Sequence, residues 1–542
     1  MEHNPATWQS ANASPLAAAV PDRTAASHRS RRTLSPRVVG SWPLLAVLAV
    51  QAALSARLVG ADTAFQDEAL YLWAGHLEWA HLSHGTALPQ FPSYFSGAPV
   101  IYPPVAALAD SLGGLAGARL LSLVFMLGAT VALWATTSRL FGRRAAFFAT
   151  ALFATFGPTL HLGAFATFDA MSVFLIALAA WLVVRAGERQ DATGWMLAAG
   201  VALALADATS YPAILFDPIV ILLALFAAFP RPGGKIAAAR AGTLLAVVAV
   251  LATAALLIGG GRYLHGIETT TLARAPGSDP ALAIIGRFWS WTSVIVIAAA
   301  CGVVIAWVSQ PNRARTWLLT VVAAAVVLVP AEQASLHTTA SMNKHGALGA
   351  WFAVIAAGYA IDKFVAAAPA GRGRAITCAA CVIALSFPIA LGAAQSWAFS
   401  TSWPNSSSFV AILRPLADHG DGRLLVEDPS IAEYYLPAGS QWMRWSSTRN
   451  IVLPSGASTG GPNDAAGIVG PGNAGTFSMY IAEGYFSLIA LNFADTSSLD
   501  RQLAADIRRN HRYHTIEVVP YGPGPGGPAP GTYVIWQYEA HT

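Results

Sequence analysis

The sequence contains few charged residues. Asp, Glu, Lys and Arg make up only 11% of its 542 residues, and hydrophobic residues make up 55%. Soluble proteins typically carry about 25% charged residues. With so little charge the chain is unable to cover a water-facing surface, so part of its outside must lie in lipid. These proportions exclude a soluble enzyme, a disordered chain and a nucleic-acid binder.

The sequence also has little cysteine. Cys301, Cys378 and Cys381 are its three cysteines, and all of them fall in apolar stretches. Cys378 and Cys381 have the spacing of a redox or zinc motif, but the sequence around them lacks the βαβ pattern of a redox site and the second ligand pair of a zinc site. We interpret all three as small packing residues.

Apolar runs of about 17 to 25 residues predict membrane spans. The sequence has eleven such runs, near 40–59, 106–138, 145–163, 170–184, 193–207, 211–229, 241–260, 288–309, 316–331, 346–361 and 375–395. The second run is too long for one span, so we expect its first part to form a surface helix. Pro212 and Pro218 interrupt the sixth run.

The distribution of basic residues predicts the topology. Residues 1–39 are polar and Arg-containing, which is typical of a disordered arm. Eighteen Lys and Arg residues fall on the side of this arm, against six on the opposite side of the membrane region. Basic residues collect in the cytoplasm, so the arm is predicted to be cytoplasmic. We therefore expect a multi-pass plasma-membrane protein with a transmembrane domain at 40–396 and a long first outer loop at 61–105.

After the last apolar run, residues 397–542 are predicted to form a small extracytoplasmic α/β domain. Hydrophobic periodicity predicts strands at 423–428, 514–519 and 532–538, and helices at 430–436 and 498–510. The apolar segment 485–493 is compatible with either a strand or a helix. Gly- and Pro-rich composition predicts loops at 454–476 and 520–531.

Acidic residues stand at the predicted outer ends of spans. Asp67 and Glu68 follow the first span, and in a helix Asp67 shares a face with Tyr71. A carboxylate at a membrane surface can act as a general base or a metal ligand; the alternative is a solvated interfacial helix. Asp169 lies between the third and fourth spans, where an ionisable group in apolar surroundings is a functional candidate and also a suitable helix cap.

The outer loop EQASLHTTASMNKHGALG brings His337, Lys344 and His345 together just before a predicted helix. Lys344 stands near the helix N-terminus, where backbone N–H groups also favour an anion such as phosphate. Arg262, after the seventh span, could supply a second positive contact. The alternative is a contact with a lipid headgroup that has no catalytic role.

Taken in order, these motifs resemble the GT-C glycosyltransferase superfamily, near its protein O-mannosyltransferase and lipid A aminoarabinose transferase branch. The resemblance covers roughly residues 40–360 and is clearest over 60–190. It is carried by FQDEALY after the first span, the aromatic-rich first loop ending in YPP (102–104), the basic SRLFGRRAA (138–146) and the single Asp of FATFDAM. The resemblance implies a polytopic α-helical membrane protein with a GT-C-like fold of about eleven transmembrane helices.

The resemblance also implies a function: inverting transfer of a hexose or pentose from a polyprenyl-phosphate carrier to a glycan, lipid or protein acceptor at the outer face. Asp67 would be the catalytic base, with Glu68 assisting, and Tyr71 and Asp169 would line the acceptor or donor-sugar site. A divalent metal between the carboxylates is possible in the superfamily, but the sequence does not demand one.

The first loop departs from the family pattern at the phosphate site. Many relatives have a Lys directly before the Pro-Pro of this loop, and this chain has Tyr102 there. The carrier phosphate is therefore assigned to Lys344 and His345 with help from Arg262. Tyr102 and His337 complete the expected substrate-binding set.

A transporter or flippase of small or lipid-linked solutes is the alternative function. It would place charged residues near the bilayer midplane and would show repeated halves. Asp217, next to Pro218 in the sixth predicted span, favours it. The other candidate acids lie at the outer ends of spans, and no internal repeat is evident. A binding protein on a membrane anchor would leave most of the predicted spans unexplained.

Overall fold

The computed structural model describes residues 42–227, 233–274, 276–418, 422–452, 474–494, 496–521 and 531–539. The predicted arm at 1–39 lies outside this part of the chain. In chain order the helices are α1 (Trp42–Ala56), α2 (Gln66–His84), α3 (Tyr102–Phe141), α4 (Arg143–Ala154), α5 (Gly157–Leu162), α6 (Phe168–Gly187), α7 (Thr193–Thr209), α8 (Asp217–Ala227), α9 (Gly233–Ile267), α10 (Ala281–Ser309), α11 (Arg313–Ala324), α12 (Leu328–Ser335), α13 (Met342–Ala367), α14 (Arg372–Ala384), α15 (Ser386–Ser400), α16 (Ser407–Asp418), α17 (Ser430–Tyr435), α18 (Ala474–Glu483) and α19 (Ser497–Arg509).

Seven helical stretches in the described ranges are long and apolar enough to cross a membrane. They are Tyr102–Phe141, Phe168–Gly187, Gly234–Leu272, Ala281–Ser309, Arg313–Ser335, Met342–Ala367 and Arg372–Ser400. Shorter apolar helices cover the first, fifth and sixth predicted spans, and the third is divided between α4 and α5. A mostly helical membrane protein is thus confirmed, whereas the count of eleven crossings, the plasma membrane and the orientation stay predictions.

The long second run lies in α3, which consists of two helical segments that meet at a kink, so the expected division of this run is confirmed. Its backbone leaves helical geometry at Gly113 and Gly114, where Gly114 has a φ of +60°. Glycine adopts this left-handed conformation without the steric penalty of a side chain. The helix therefore bends at the point that separates its first part from the rest of the predicted span.

Helix α13 runs through the middle of the helical core, and most side chains over residues 342–360 are buried. Small residues let its neighbours approach closely: a Cβ added at Gly302 would lie 2.2 Å from the carbonyl oxygen of Ala356. Trp351 donates its indole N–H to the carbonyl oxygen of Ala129 at 3.0 Å. Because several helices pack against α13, its first turn has a fixed position.

The C-terminal region contains a five-stranded sheet of order β2-β1-β3-β5-β4. The strands are β1 (Arg423–Val426), β2 (Trp445–Ser446), β3 (Phe486–Leu491), β4 (Tyr513–Tyr521) and β5 (Gly531–Tyr538). Strand β1 is parallel to β2 and β3, whereas β5 is antiparallel to β3 and β4. The predicted strands and the two predicted helices are confirmed, and the apolar segment at 485–493 is a strand.

Most of the two predicted loops at 454–476 and 520–531 lies outside the described residues, namely positions 454–473 and 522–530. Their described ends belong to regular elements, because α18 begins at Ala474, β4 ends at Tyr521 and β5 begins at Gly531. The loop prediction was therefore wrong at these edges. An extracytoplasmic location and a domain boundary at 397 stay predictions.

The C-terminal region packs against the first loop of the membrane part and against the start of α3. Tyr434, on α17, donates its hydroxyl to a carboxylate oxygen of Asp110 at 2.8 Å. The backbone N–H of Ala64 donates to the hydroxyl oxygen of Tyr435 at 2.8 Å, and the Trp73 indole donates to the carbonyl of Gly439 at 2.9 Å. These contacts hold the start of α2 from outside the helical core.

We predict that Gly75→Ala destabilises the protein by moving α2 away from α3. A Cβ at this position would lie 2.0 Å from the carbonyl oxygen of Pro103, which is backbone and has little freedom to move. Overpacking of this kind typically costs about 1–3 kcal/mol, so the thermal unfolding temperature in detergent should fall. Gly194→Ala is the control, since its Cβ would meet nothing within 4 Å; an equal fall in both variants would contradict the packing argument.

Candidate active site

The site is organised by a buried ion pair between the first loop and α3. Glu68, in the first turn of α2, is fully buried. Arg119 donates to its two carboxylate oxygens at 2.8 and 2.7 Å. The same guanidinium donates to the carbonyl oxygens of Val59, Asp62 and Thr63 at 2.7, 2.9 and 3.1 Å. A planar guanidinium has five donors, so one side chain can fix both the carboxylate and the chain that leads into α2.

Glu68 also connects α2 to the turn that carries the second acid. Its carboxylate accepts from the backbone N–H of Ala166 at 2.7 Å and from that of Phe65 at 3.1 Å. The contact with Phe65 caps the start of α2, and the contact with Ala166 fixes the turn before α6. Asp67 and Asp169 flank these two fixed points, so Glu68 determines where both acids lie.

A cluster of opposite charges lies beside this scaffold. Lys344, in the first turn of α13, donates to Oδ2 of Asp67 at 2.6 Å. Its Nζ lies 3.8 Å from Oδ2 of Asp169. The three side chains differ in access: Asp67 is 30% exposed, Lys344 8% and Asp169 1%. Asp67 is therefore the acid that a molecule entering from the surface can reach.

Asp169 is held from three directions. Thr167 donates its hydroxyl to Oδ2 of Asp169 at 2.9 Å, on the same oxygen that faces Lys344. Nε2 of His345 lies 3.5 Å from the other carboxylate oxygen. The predicted set of Asp67, Asp169, Lys344 and His345 is thus brought together by three separate elements.

Aromatic side chains form the apolar floor of the cluster. The ring of Tyr71 lies 4.9 Å from that of Phe168, 5.1 Å from Phe95 and 6.3 Å from Tyr102, measured between centroids. Burial, together with the negative charges of Asp67 and Asp169, raises the pKa of Tyr71 well above its ordinary value. Tyr71 therefore keeps its proton and lies within electrostatic range of both acids.

A further basic residue, which the sequence prediction did not choose, lies near Lys344. Arg274 is exposed and lies within electrostatic range of Lys344. Arg262 is also exposed, and no contact joins it to the acidic cluster in the described part of the chain. His337 faces another loop, where its Nδ1 lies 3.3 Å from the carbonyl oxygen of Asp279.

Sequence reasoning also missed Arg119. The available signal was a charged residue inside an apolar run, five residues after Gly114, where an ionisable group needs a partner. Tyr102 replaces the Lys that many relatives carry, and it is fully buried. The positive charge of the cluster comes instead from α13. As for metals, the described residues contain no group of three or more His, Cys, Asp or Glu side chains able to hold an ion.

Comparisons with known proteins confirm the resemblance to the GT-C superfamily. A protein-family model described as dolichyl-phosphate-mannose-protein mannosyltransferase matches residues 99–258. Among solved structures, ArnT from Cupriavidus metallidurans bound to undecaprenyl phosphate is similar with a TM-score of 0.58 at 13% identity, over 91% of this chain and 98% of that chain. The apo oligosaccharyltransferase of Archaeoglobus fulgidus gives a TM-score of 0.53 at 13% identity, over 89% of this chain and 73% of that chain.

A search of curated protein sequences finds no match. The likeness to the two solved proteins shows the fold, and the family match covers the segment from the end of the first loop to α9. The charged cluster therefore lies on a GT-C fold, with Asp169 and Arg119 inside the matched segment and Asp67 and Lys344 on either side of it.

We predict that Arg119→Met lowers the free energy of unfolding by about 3–5 kcal/mol, because it leaves Glu68 as a buried charge without its partner. Adding Glu68→Gln should recover part of this loss. Unfolding in mixed micelles titrated with SDS measures both variants. Arg139→Met is the control: its pair with Glu188 is 3.5 Å long and partly exposed, and such pairs contribute about 0–1 kcal/mol. If the losses of unfolding free energy caused by Glu68→Gln and Arg119→Met simply add in the double variant, the two side chains are not coupled.

Proposed function

We propose that the protein is an integral-membrane inverting glycosyltransferase. It moves a sugar from a polyprenyl-phosphate carrier to an acceptor hydroxyl at the outer face of the membrane. The observation that carries the proposal is the contact of Asp67 with Lys344 beside Asp169, on a GT-C fold. This cluster combines a carboxylate open to the surface with a buried cation, which are the two groups that displacement of a phosphate by a hydroxyl requires.

Asp67 acts as the general base in this proposal. As the acceptor oxygen forms its bond to the anomeric carbon, the proton of the acceptor hydroxyl passes to the Asp67 carboxylate. The bond between the anomeric carbon and the carrier phosphate breaks in the same displacement, and the phosphate keeps the electron pair. No covalent sugar–enzyme intermediate is needed, so the configuration at the anomeric carbon inverts.

Lys344 stabilises the departing phosphate. An ammonium has three N–H donors, and the two that face Asp67 and Asp169 leave one for a phosphate oxygen. The negative charge that develops on the phosphate is stabilised most strongly where water is excluded, and Lys344 is 8% exposed. Arg274, near the same ammonium, supplies a second positive charge from the loop after α9.

The surrounding residues take supporting roles in the proposal. Asp169 holds Lys344 and His345 in place, and Tyr71 offers a neutral hydroxyl to the sugar or the acceptor. Both carboxylate oxygens of Glu68 accept bonds from Arg119, so Glu68 assists by positioning Asp67 rather than by touching substrate. The C-terminal region borders the site through α17 and can limit the shape of the acceptor.

The carrier class is supported by similar proteins. ArnT from Cupriavidus metallidurans has been solved with undecaprenyl phosphate. The AglB oligosaccharyltransferase of Archaeoglobus fulgidus has been solved with a dolichol-phosphate and an inhibitory peptide, and it matches this chain with a TM-score of 0.51 at 13% identity, over 92% of this chain and 74% of that chain. A lipid phosphate suits a site whose cation lies at the outer end of a predicted span. A hexose or pentose and a glycan, lipid or protein acceptor complete the proposal.

We predict that Asp67→Asn lowers the rate of transfer from a radiolabelled polyprenyl-phosphate sugar by about 100-fold or more, since a positioned general base contributes about 10²–10⁴-fold. The assay uses membranes that contain the full chain and measures labelled product. Asp62→Asn is the matched control, because Asp62 lies in the same loop and bonds to Thr63 and Asn405 rather than to the cluster.

Two results would contradict the proposal. If transfer by wild type is detectable and Asp67→Asn keeps full activity, Asp67 is not the general base. Movement of the lipid-linked sugar across the membrane without formation of product would favour the transporter, whose supporting feature is Asp217 next to Pro218 in the sixth predicted span.

We predict that Arg274→Gln raises the apparent KM for the carrier about tenfold and that Arg262→Gln leaves it nearly unchanged. One charge-assisted hydrogen bond to phosphate contributes about 1.5–3 kcal/mol. Both residues are exposed; Arg262 lies within α9 and Arg274 follows it. Comparing the two variants therefore distinguishes an effect of proximity to Lys344 from an effect of general surface charge. Equal effects of the two substitutions would show that Arg274 has no specific contact with the phosphate.

A further inference from the structure

The ammonium of Lys344 lies where a divalent cation between two carboxylates would have to lie. Its Nζ is 2.6 Å from Oδ2 of Asp67 and 3.8 Å from Oδ2 of Asp169. The side chain is 8% exposed and the Asp169 carboxylate is 1% exposed. The central position between the two acids is therefore filled by a group of the chain itself.

With the ammonium of Lys344 in place, the residues around this position do not fit a divalent metal. Mg²⁺ prefers near-octahedral oxygen ligands at about 2.0–2.1 Å, and Oδ2 of Asp169 already accepts from Thr167 at 2.9 Å. The other oxygen of Asp169 faces His345. A metal would also have to lie close to the buried ammonium, and two cations repel strongly in such surroundings.

The backbone keeps the ammonium in this position. Lys344 lies three residues after Ser341. Ser341 has a left-handed φ of +61° and directs the chain into α13. The N–H groups of Lys344 and His345 both donate to the carbonyl oxygen of Ser341 at 2.9 Å. Because most side chains of α13 over residues 342–360 are buried in the helical core, Lys344 has little room to withdraw and admit an ion.

We infer that Lys344 is a built-in cation that takes the place of a divalent metal between Asp67 and Asp169. The two acids bind a divalent ion only when the ammonium is removed. One consequence rests on the proposed function: sugar transfer by the wild-type protein needs no added metal and resists chelation. The ion-binding claim itself can also be tested without the reaction.

Mn²⁺ binding to the purified full chain tests the claim directly, with electron paramagnetic resonance reporting the free ion. Addition of wild type or of Lys344→Arg should leave the signal of free Mn²⁺ unchanged, because neither protein binds the ion at the cluster. Lys344→Met keeps an unbranched side chain that is one atom shorter and removes the charge, so it should bind Mn²⁺ at least about tenfold more tightly than wild type. Lys344→Met combined with Asp169→Asn should lose this gain, which locates the ion.

Each outcome decides the claim. Stoichiometric Mn²⁺ binding by wild type that disappears in Asp67→Asn would overturn it, and this comparison holds even if Lys344→Met does not fold. Unchanged Mn²⁺ affinity in a folded Lys344→Met would overturn it as well. If wild type gives no transfer with any carrier, the proposed function fails. The Mn²⁺ binding results still decide whether Lys344 takes the place of a divalent metal. If EDTA abolishes wild-type transfer and Mn²⁺ restores it, the cation claim fails while the proposed function stands.

Discussion

The ion pair between Glu68 and Arg119 is the interaction on which the site depends. It lies in a region where neither charge has water, so each needs the other. Through Arg119 it fixes the chain that leads into α2, and through Ala166 it fixes the turn before α6. Asp67 and Asp169 are far apart in sequence, and this pair is what places them both beside one ammonium. The chemistry of the cluster therefore rests on two residues that need not touch substrate.

The cluster itself balances charge at the end of the helical core. Two carboxylates face Lys344, and Arg274 adds a second positive charge from a nearby loop. A phosphate that enters such a site exchanges water for fixed donors, which is more favourable in surroundings of low dielectric constant. The same balance explains why a metal ion is unnecessary in our account: the positive charge is part of α13 and is held by packing rather than by ligand binding.

Much of this arrangement could be predicted from the sequence because membrane proteins contain so few charges. Asp67 and Asp169 stood out as acids at the outer ends of apolar runs, and Lys344 as one of few basic residues on its side. Contacts between residues of distant segments could not be predicted in this way. Arg119 looked like one more outer basic residue, and Arg262 could not be distinguished from Arg274, since only the fold determines which loop reaches α13.

The same limit applies to the fold. Apolar length located the helices and the division of the second run at the kink of Gly113 and Gly114, yet the third predicted span is broken between α4 and α5. Short-range patterns were more reliable in the C-terminal region, where alternation predicted the strands, but the order of the sheet depends on contacts between distant residues. Local sequence thus gives the elements, and tertiary contacts give their arrangement.

The most direct test of the account is an electron cryomicroscopy structure of the full chain in lipid nanodiscs with a polyprenyl phosphate. If Lys344 binds the carrier phosphate, the phosphate density will lie within hydrogen-bond distance of the Lys344 ammonium, with Asp67 open to the outer side and Arg274 turned toward the phosphate. Phosphate density that is well resolved elsewhere on the protein, with the Lys344 ammonium enclosed by Asp67 and Asp169 alone, would contradict it.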